Sequence, residues 1–165
     1  WNRAGLNHFL LKQEQQADEL GLHLGVLFCD LDHFKRINDQ YGHAAGDQVL
    51  WETARRINAA VRPQDIVTRS GGEEFVVLFP GTNEQTALEV IRRVLGAITQ
   101  APIVTVADTP LHVTFSAGVA THGAYERFTD MRDLLKAADD VLYRSKNLGR
   151  NRVIARAPDP HPTAC

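Results

Sequence analysis

Arg62-Pro63-Gln64-Asp65-Ile66-Val67-Thr68-Arg69-Ser70-Gly71-Gly72-Glu73-Glu74-Phe75 is the stretch on which the fold turns. Ile66-Val67-Thr68 and Phe75-Val76-Val77-Leu78-Phe79 are β-prone runs with Gly71-Gly72 between them. Tight hairpin turns need positive φ, which glycine reaches without steric cost, so the pair predicts a hairpin and at least one antiparallel strand pairing. The tip carries two carboxylates, Glu73 and Glu74. Adjacent side chains on a strand point to opposite faces, which puts at least one of them off the core. Taken alone, such a pair also suits a solvated hairpin tip.

Working outward, a second acidic cluster, Asp30-Leu31-Asp32, closes the apolar run Leu22 to Cys29. Leu22, Leu24, Val26, Leu27, Phe28 and Cys29 suit a strand buried on both faces. Packing explains a carboxylate at the end of such a strand poorly, because charges are rarely buried without a partner. Two acidic clusters, each at the end of a buried strand, suit an oxygen-ligated divalent metal. Mg²⁺ takes one or two carboxylates and completes its shell with water and substrate phosphates. Asp-x-Asp after a strand is equally compatible with a structural role when nothing else accompanies it.

Composition bounds the class. The chain has 165 residues, enough for one domain with a sizeable core, and 44% hydrophobic and 23% charged residues are ordinary globular values. A net charge of −2 supplies no basic field for a nucleic-acid duplex or an anionic membrane, so neither DNA nor membrane contact is expected. Of the two cysteines, Cys29 lies in the apolar run and Cys165 is the last residue. That pattern indicates no disulfide framework and fits a reducing cytoplasm. No apolar run approaches the roughly 18 residues of a membrane span, and no signal-peptide pattern opens the sequence.

The rest of the chain alternates helical and strand patterns. Residues 3–20 are helix-prone, with Leu6, Phe9, Leu10, Ala17 and Leu20 forming an imperfect apolar stripe. Gly42-His43 and Gly46-Asp47 are expected to interrupt the chain before a helix whose periodic residues are Leu50, Thr53, Ala54, Ile57, Ala60 and Val61 and which Pro63 stops. Thr82-Asn83-Glu84-Gln85 reads as a capping box ahead of a stripe of Ala87, Leu88, Ile91, Val94, Leu95 and Ile98, with Arg92 and Arg93 off the stripe. Ile103 to Val106 and Leu111 to Phe115 flank Ala107-Asp108-Thr109-Pro110 as a second hairpin, continued by Ser116 to Ala120. Met131, Leu134, Leu135, Ala138, Val141, Leu142 and Ser145 make the cleanest amphipathic helix, and Val153-Ile154 a last short strand. Residues 1–156 are read as one domain and 157–165, with three prolines, as a tail. This order predicts an α+β fold with a mixed or antiparallel sheet.

Several of these segments together resemble a known family. The run His33-Phe34-Lys35-Arg36-Ile37-Asn38-Asp39-Gln40-Tyr41-Gly42-His43-Ala44-Ala45-Gly46-Asp47 follows Asp32 directly. With Gly71 to Phe75, and with Ala138-Asp139, Leu142-Tyr143, Lys146 and Gly149-Arg150-Asn151 downstream, it is similar to the GGDEF family of diguanylate cyclases, in the Gly-Gly-Glu-Glu-Phe variant. The resemblance runs from Asn2-Arg3 to Arg150-Asn151. The family's usual opening, Asp-x-Leu-Thr-Gly-Leu, has no counterpart before Trp1-Asn2-Arg3, so a piece of a longer protein is expected.

The resemblance implies a mostly antiparallel central sheet wrapped by helices, related to nucleotidyl-cyclase and polymerase palm domains with a ferredoxin-like core. It implies that two GTP condense to cyclic di-GMP and two pyrophosphates on a homodimer, with Mg²⁺ or Mn²⁺, two per site. Asp30, the main-chain carbonyl of Leu31, and Glu73 would be metal ligands, with Glu74 close by. Glu73 would be the general base, unless metal activation of the hydroxyl makes a base unnecessary. Lys35 and the main chain of Phe34, placed in a loop after the metal strand, would face phosphate oxygens. Asn38 and Asp47 would read guanine, His43 would lie near them, and Lys146 and Arg150 would hold the triphosphate. An amide both donates and accepts, a carboxylate accepts from guanine N–H groups, and Lys and Arg suit phosphate. Outside that reading, Asp47 also suits the start of a helix, and Lys146 with Arg150 the end of one, by the helix dipole.

Arg62-x-x-Asp65 matches the family's inhibitory site for its own product, with Arg93 assisting. Read without the resemblance, Pro63 and Asp65 simply suit a turn. Two rival functions stand beside the cyclase. One is an inactive receptor for GTP or cyclic di-GMP; intact Asp30, Gly71, Gly72, Glu73, Glu74, Lys146 and Arg150 weigh against it. The other is a cyclase of another purine nucleotide, against which Asn38 and Asp47 argue.

Overall fold

The structure is a computed structural model that describes Lys12 and residues 23–123, 127–128 and 130–156. The helix expected over residues 3–20, the tail 157–165 and Cys165 lie outside the described residues, apart from Lys12, which is helical. Along the chain come β1 (Leu24–Leu31), α1 (Phe34–Tyr41), α2 (His43–Ala60), β2 (Ile66–Gly71), β3 (Glu74–Pro80) and α3 (Glu84–Thr99). They are followed by β4 (Val104–Val106), β5 (Thr109–Leu111), β6 (Phe115–His122), α4 (Met131–Asn147) and β7 (Arg152–Ala155).

Five strands form one sheet in the order β2-β3-β1-β6-β7, and β4-β5 is a separate ribbon. The pairings β2–β3, β3–β1 and β1–β6 are antiparallel, and β6–β7 is parallel. The expected mostly antiparallel α+β sheet is therefore present. Its one parallel pair has the crossover such a pair requires, supplied by α4.

β1 is central because both its faces are apolar. Leu27, Cys29 and Leu31 join Phe75, Val77, Phe79, Ala117 and Val119 in a core covered by α1, α2 and α3. Leu24 and Val26 join Val76, Leu78 and Ala120 against Met131, Leu134, Ala137 and Ala138 of α4. The period-two alternation thus feeds two cores, one per face, and both faces of the sheet are helix-covered although its strands are largely antiparallel. α4 lies directly on β6: a Cβ at Gly118 would run into the backbone of Ala138 and Leu142. Gly118→Ala would force that helix off the sheet.

Several local expectations need correction. Phe34 to Tyr41 is a helix, not a loop, so Lys35 stands on its first turn. His33 takes a left-handed conformation (φ 58°) that turns the chain out of β1, and buried Phe34 anchors the helix to the core. α2 begins at His43, and Gly46 and Asp47 lie inside it rather than interrupting it. Tertiary packing overrides glycine's poor helix propensity here, because any Cβ at Gly46 would meet the Asn38 side-chain oxygen. The hairpin bends at Gly72-Glu73, not at Gly71-Gly72: Gly71 pairs with Glu74, and Gly72 carries the positive φ of 30°.

α3 is capped by Asn83, whose side chain accepts from the Thr86 N–H at 3.0 Å, in place of a Thr82–Gln85 box. In the second hairpin the turn is Ala107-Asp108, both at positive φ (45° and 61°), with Thr109 and Pro110 already in β5. Phe115 opens β6 in the main sheet instead of extending that hairpin. The helix expected from Met131 to Ser145 and the strand at Val153-Ile154 are both present.

Candidate active site

Three elements meet at one end of the sheet: the end of β1, the β2–β3 tip and the C-terminal part of α4. Strand register does most of the positioning. Asp30 sits opposite Glu74 on β3 and opposite Ser116 on β6. The Leu31 N–H donates to the Glu73 carbonyl at 3.3 Å, which ties the hairpin tip to the end of β1. Both acidic clusters are thereby brought together by backbone pairing alone.

Lys146, from the last turn of α4, places its Nζ 3.1 Å from Asp30 Oδ1. Burial pushes the Asp30 carboxyl above the usual range. Its bond to Lys146 and that residue's charge pull it back, while the nearby charges of Glu73 and Glu74 push it further up. This is a crowded anionic site with one amine against it. A divalent cation bound there would relieve the same repulsion, so Asp30, the Leu31 carbonyl and Glu73 fit as a hard-cation donor set. Among the described residues no three His, Cys, Asp or Glu side chains already converge as a closed ligand cage. An open set of one or two carboxylates is what Mg²⁺ ordinarily uses.

Around this centre, Phe34 is buried and Lys35 exposed on the first turn of α1, which begins three residues beyond the end of β1. Asn38, half-buried on α1, packs at Gly46 of α2, beside exposed Asp47. His43 is exposed at the start of α2. Asp47, Leu50, Trp51, Ala54, Asn58, Val67, Arg69 and Phe75 line a cavity of about 480 Å³ between α2 and the hairpin. Its size suits a small-molecule site. Arg150 is exposed in the turn after α4, at a φ of 62°.

Arg62, Asp65 and Arg93 are not part of this centre. They lie at the opposite end of β2, whose five steps from Ile66 to Gly71 span about 17 Å. Asp65 is buried, and its Oδ2 accepts from the Arg62 backbone N–H at 2.8 Å. Burial raises the Asp65 carboxyl, opposed by that bond and by the charges of Arg62 and Arg93. Arg93 Nε donates to the Ala60 carbonyl at 2.7 Å, which docks it on the end of α2. The three residues of the expected inhibitory site therefore form one cluster.

Two features escaped the sequence reading. Asp32 is not a spare acid but a buried acceptor for Thr114, Ser116 and the Asn151 backbone. Its partners lie more than 80 positions away, and only the β1–β6 register would have revealed Thr114 and Ser116. Arg69 donates from Nε to the Gly72 carbonyl at 2.7 Å and braces the hairpin tip. Arg69 precedes the glycine pair by two positions, so a bracing role was readable from proximity.

Residues 1–152 match the family described as "Diguanylate cyclase, GGDEF domain". The chain is 40% identical over 154 residues to the diguanylate cyclase DgcM of Escherichia coli K12, covering 93% of this chain and 36% of that protein. It is similar to the GGDEF domain of DgcB from Caulobacter crescentus, solved in complex with c-di-GMP, at a TM-score of 0.84 and 30% identity, covering 93% of this chain and 90% of that one. It is similar also to the active GGEEF domain of a diguanylate cyclase from Vibrio cholerae, at a TM-score of 0.81 and 28% identity, over 90% and 92% of the two chains. The chain spans about a third of the length of the curated relatives it matches. With the family's sequence match over residues 1–152 and a TM-score of 0.84 to one of its domains, this protein belongs to the GGDEF diguanylate cyclase family.

Proposed function

We propose that the domain condenses two GTP molecules into cyclic di-GMP with release of two pyrophosphates. The observation that carries the proposal is the joining of Asp30, Glu73, Glu74 and Lys146 at one sheet end by strand register and a 3.1 Å ion pair. Each new bond forms when a ribose 3′-hydroxyl of one GTP attacks the α-phosphate of the other. Asp30, the Leu31 carbonyl and Glu73, with Glu74 alongside, would hold Mg²⁺ or Mn²⁺, which when bound would acidify that hydroxyl and neutralise phosphate charge.

The chain's own residues do the rest. Asn38 and Asp47 hold guanine through its amide and N–H edge, with His43 nearby and the cavity lined by Asp47 and Trp51 taking part of the base. Lys35, the Phe34 main chain, Lys146 and Arg150 take the phosphate oxygens, where an amine point charge and a guanidinium fork are complementary. Glu73, half-buried in the turn of the β2–β3 hairpin, accepts the hydroxyl proton. One chain offers one GTP site, so two chains face each other in the reacting complex. Arg62, Asp65 and Arg93 bind the product at the far end of β2 and lower activity from there.

The experiment is direct. Purified domain incubated with GTP and Mg²⁺ yields cyclic di-GMP, with specific activity rising with protein concentration. Tight GTP or cyclic di-GMP binding without any turnover would replace this reading by that of a receptor.

A further inference from the structure

Asp32 has an exposure of only 5%, and among the described residues every group that donates to its carboxylate is neutral. Thr114 Oγ1 donates to Oδ2 at 2.8 Å and Ser116 Oγ to Oδ1 at 2.7 Å, while the Asp32 N–H donates to the Thr114 carbonyl at 2.9 Å. Those bonds tie the end of β1 to β6. The remaining one leaves the sheet: the Asn151 backbone N–H donates to Oδ2 at 3.0 Å.

Asn151 ends a turn whose conformation is costly. Gly149, Arg150 and Asn151 have φ of 109°, 62° and 45° in succession. Glycine adopts such angles freely, asparagine tolerates them, and arginine has no such allowance. The Arg150 N–H donates to the Ser145 carbonyl at 3.1 Å, which fixes the turn to α4. Among the described residues only the bond to Asp32 fixes it to the end of β1, the strand that carries Asp30. A hydroxyl at position 32 could bridge β1 to β6, but an ionised carboxylate offers enough lone pairs to reach the turn as well.

We propose that Asp32 is a positioning residue that clamps the Gly149–Asn151 turn in its left-handed form and so fixes Arg150 against the Asp30 end of β1. The two aspartates divide the work. Asp30 grips Lys146 at the end of α4, and Asp32 grips the turn five residues on, so both phosphate-facing cations are referenced to one strand end. The functional half of this inference rests on the reading of Arg150 as a triphosphate donor given above; the clamp itself does not.

Amide hydrogen exchange tests the clamp without substrate. In Asp32→Ala the Asn151 amide should lose protection by about tenfold, the scale of one hydrogen bond, while β1 amides such as Val26 keep theirs. Asp32→Asn should retain it, because the amide oxygen can accept from Asn151 while Ser116 Oγ reverses to accept from the amide nitrogen. If Asp32→Ala loses protection in β1, Asp32→Ser takes its place, since a hydroxyl can still serve β6 but is too short for the turn. Unchanged Asn151 protection in the variant that folds overturns the clamp.

Calorimetry with Mg²⁺ and α,β-methylene GTP, and separately with GMP, tests the consequence. Asp32→Ala should weaken the triphosphate about tenfold and GMP not at all, and adding Asn151→Gly should restore much of the loss by relieving the backbone. Equal weakening of both nucleotides overturns the positioning role. If the parent binds neither nucleotide, the proposed function falls, and Asn151 protection still decides the clamp.

Discussion

Lys146 Nζ lies 3.1 Å from Asp30 Oδ1, with the amine side chain 30% and the carboxylate side chain 11% exposed. A cation from the end of α4 thus already occupies the coordination space of the carboxylate expected to hold a divalent metal. The two cations compete for one oxygen. Lys146→Met should therefore tighten bare Mg²⁺ binding, by about tenfold if the pair contributes about 1.5 kcal/mol as a charge-assisted bond. The same change should weaken Mg²⁺–GTP, because the amine proposed to bind the phosphates is removed. Calorimetry with Mg²⁺ alone and with Mg²⁺–GTP separates the two effects. Weakening of both would mean that Lys146 positions Asp30 rather than competing for it.

The same pair has a pH signature. Burial raises the folded Asp30 carboxyl, and Lys146 is the first of the groups that hold it down. A raised carboxyl favours the folded state most below its unfolded value of about 3.9, and that contribution is lost as pH rises through the folded value. Removing Lys146 raises the folded value further, so without metal Lys146→Met should lose more stability than the parent between acid and neutral pH. Urea titrations across that range provide the measurement; parallel curves would refute it.

Asp30→Asn and Glu73→Gln keep size and remove the charge a hard cation requires. Each should reduce turnover about a thousandfold or more, since metal-borne charge stabilisation amounts to several kcal/mol. Each should leave the melting temperature equal to or above that of the parent, because both relieve repulsion at Asp30. Cyclic di-GMP production near the parent rate in either variant would sink the metal assignment.

How far the sequence could be read depended on whether the interaction is local. The β2–β3 hairpin, the strand at Leu24–Leu31 and the helix at Met131–Asn147 were legible because their apolar periods are intact. The helical state of Phe34 to Tyr41 was not, since its stability comes from docking Phe34 into the core and from the sharp turn at His33. Gly46 looked like a breaker for the opposite reason: its helix tolerates it because Asn38 needs the space. The site carboxylates are legible as a pair of acidic clusters, whereas nothing near Asp32, two positions from Asp30, points to its partners across the sheet.

Cys29 supplies a prediction about the core beneath the site. Its thiol is pushed up to about 12, by burial first and by the adjacent Asp30 charge second, against a small opposing bond from the Phe75 backbone. In a Cys165→Ser background, native protein near the ordinary thiol value of about pH 8.5 should show no reaction with a disulfide reagent, and one thiol after denaturation. The sign for stability follows from the raised folded value. The contribution is complete below about pH 8.5 and is lost as pH rises towards the folded value, so the parent should weaken in alkali more steeply than Cys29→Ala. Rapid native labelling would show that β1 opens readily, which the two-faced burial of this strand argues against.

At the far end of β2 the geometry makes an unusually clean test of product control. Asp65 accepts from the backbone N–H of Arg62, not from its guanidinium, and returns its own N–H to the Arg62 carbonyl at 3.0 Å. The turn therefore does not depend on the Arg62 side chain, and Arg62→Ala should fold with stability close to the parent. Asp65→Ala should instead lose about 1–2 kcal/mol, because it leaves the Arg62 N–H without its acceptor. Among the described residues the buried Oδ1 of Asp65 accepts no hydrogen bond, so this carboxylate has acceptor capacity that guanine N–H donors could use if the side chain turned outward. In the proposed inhibitory site Arg62 and Arg93 would supply the charge for a phosphate or a guanine edge beside it. Arg62→Ala should then relieve inhibition by added cyclic di-GMP by about five- to 100-fold in concentration, the span of a typical coupling of about 1–3 kcal/mol. Initial turnover of GTP should change little, since the site stands about 17 Å from Gly71. Inhibition titrations on the parent, Arg62→Ala and Arg93→Ala decide the matter. Equal sensitivity in all three would leave Arg62 a turn residue and Arg93 a cap on the end of α2.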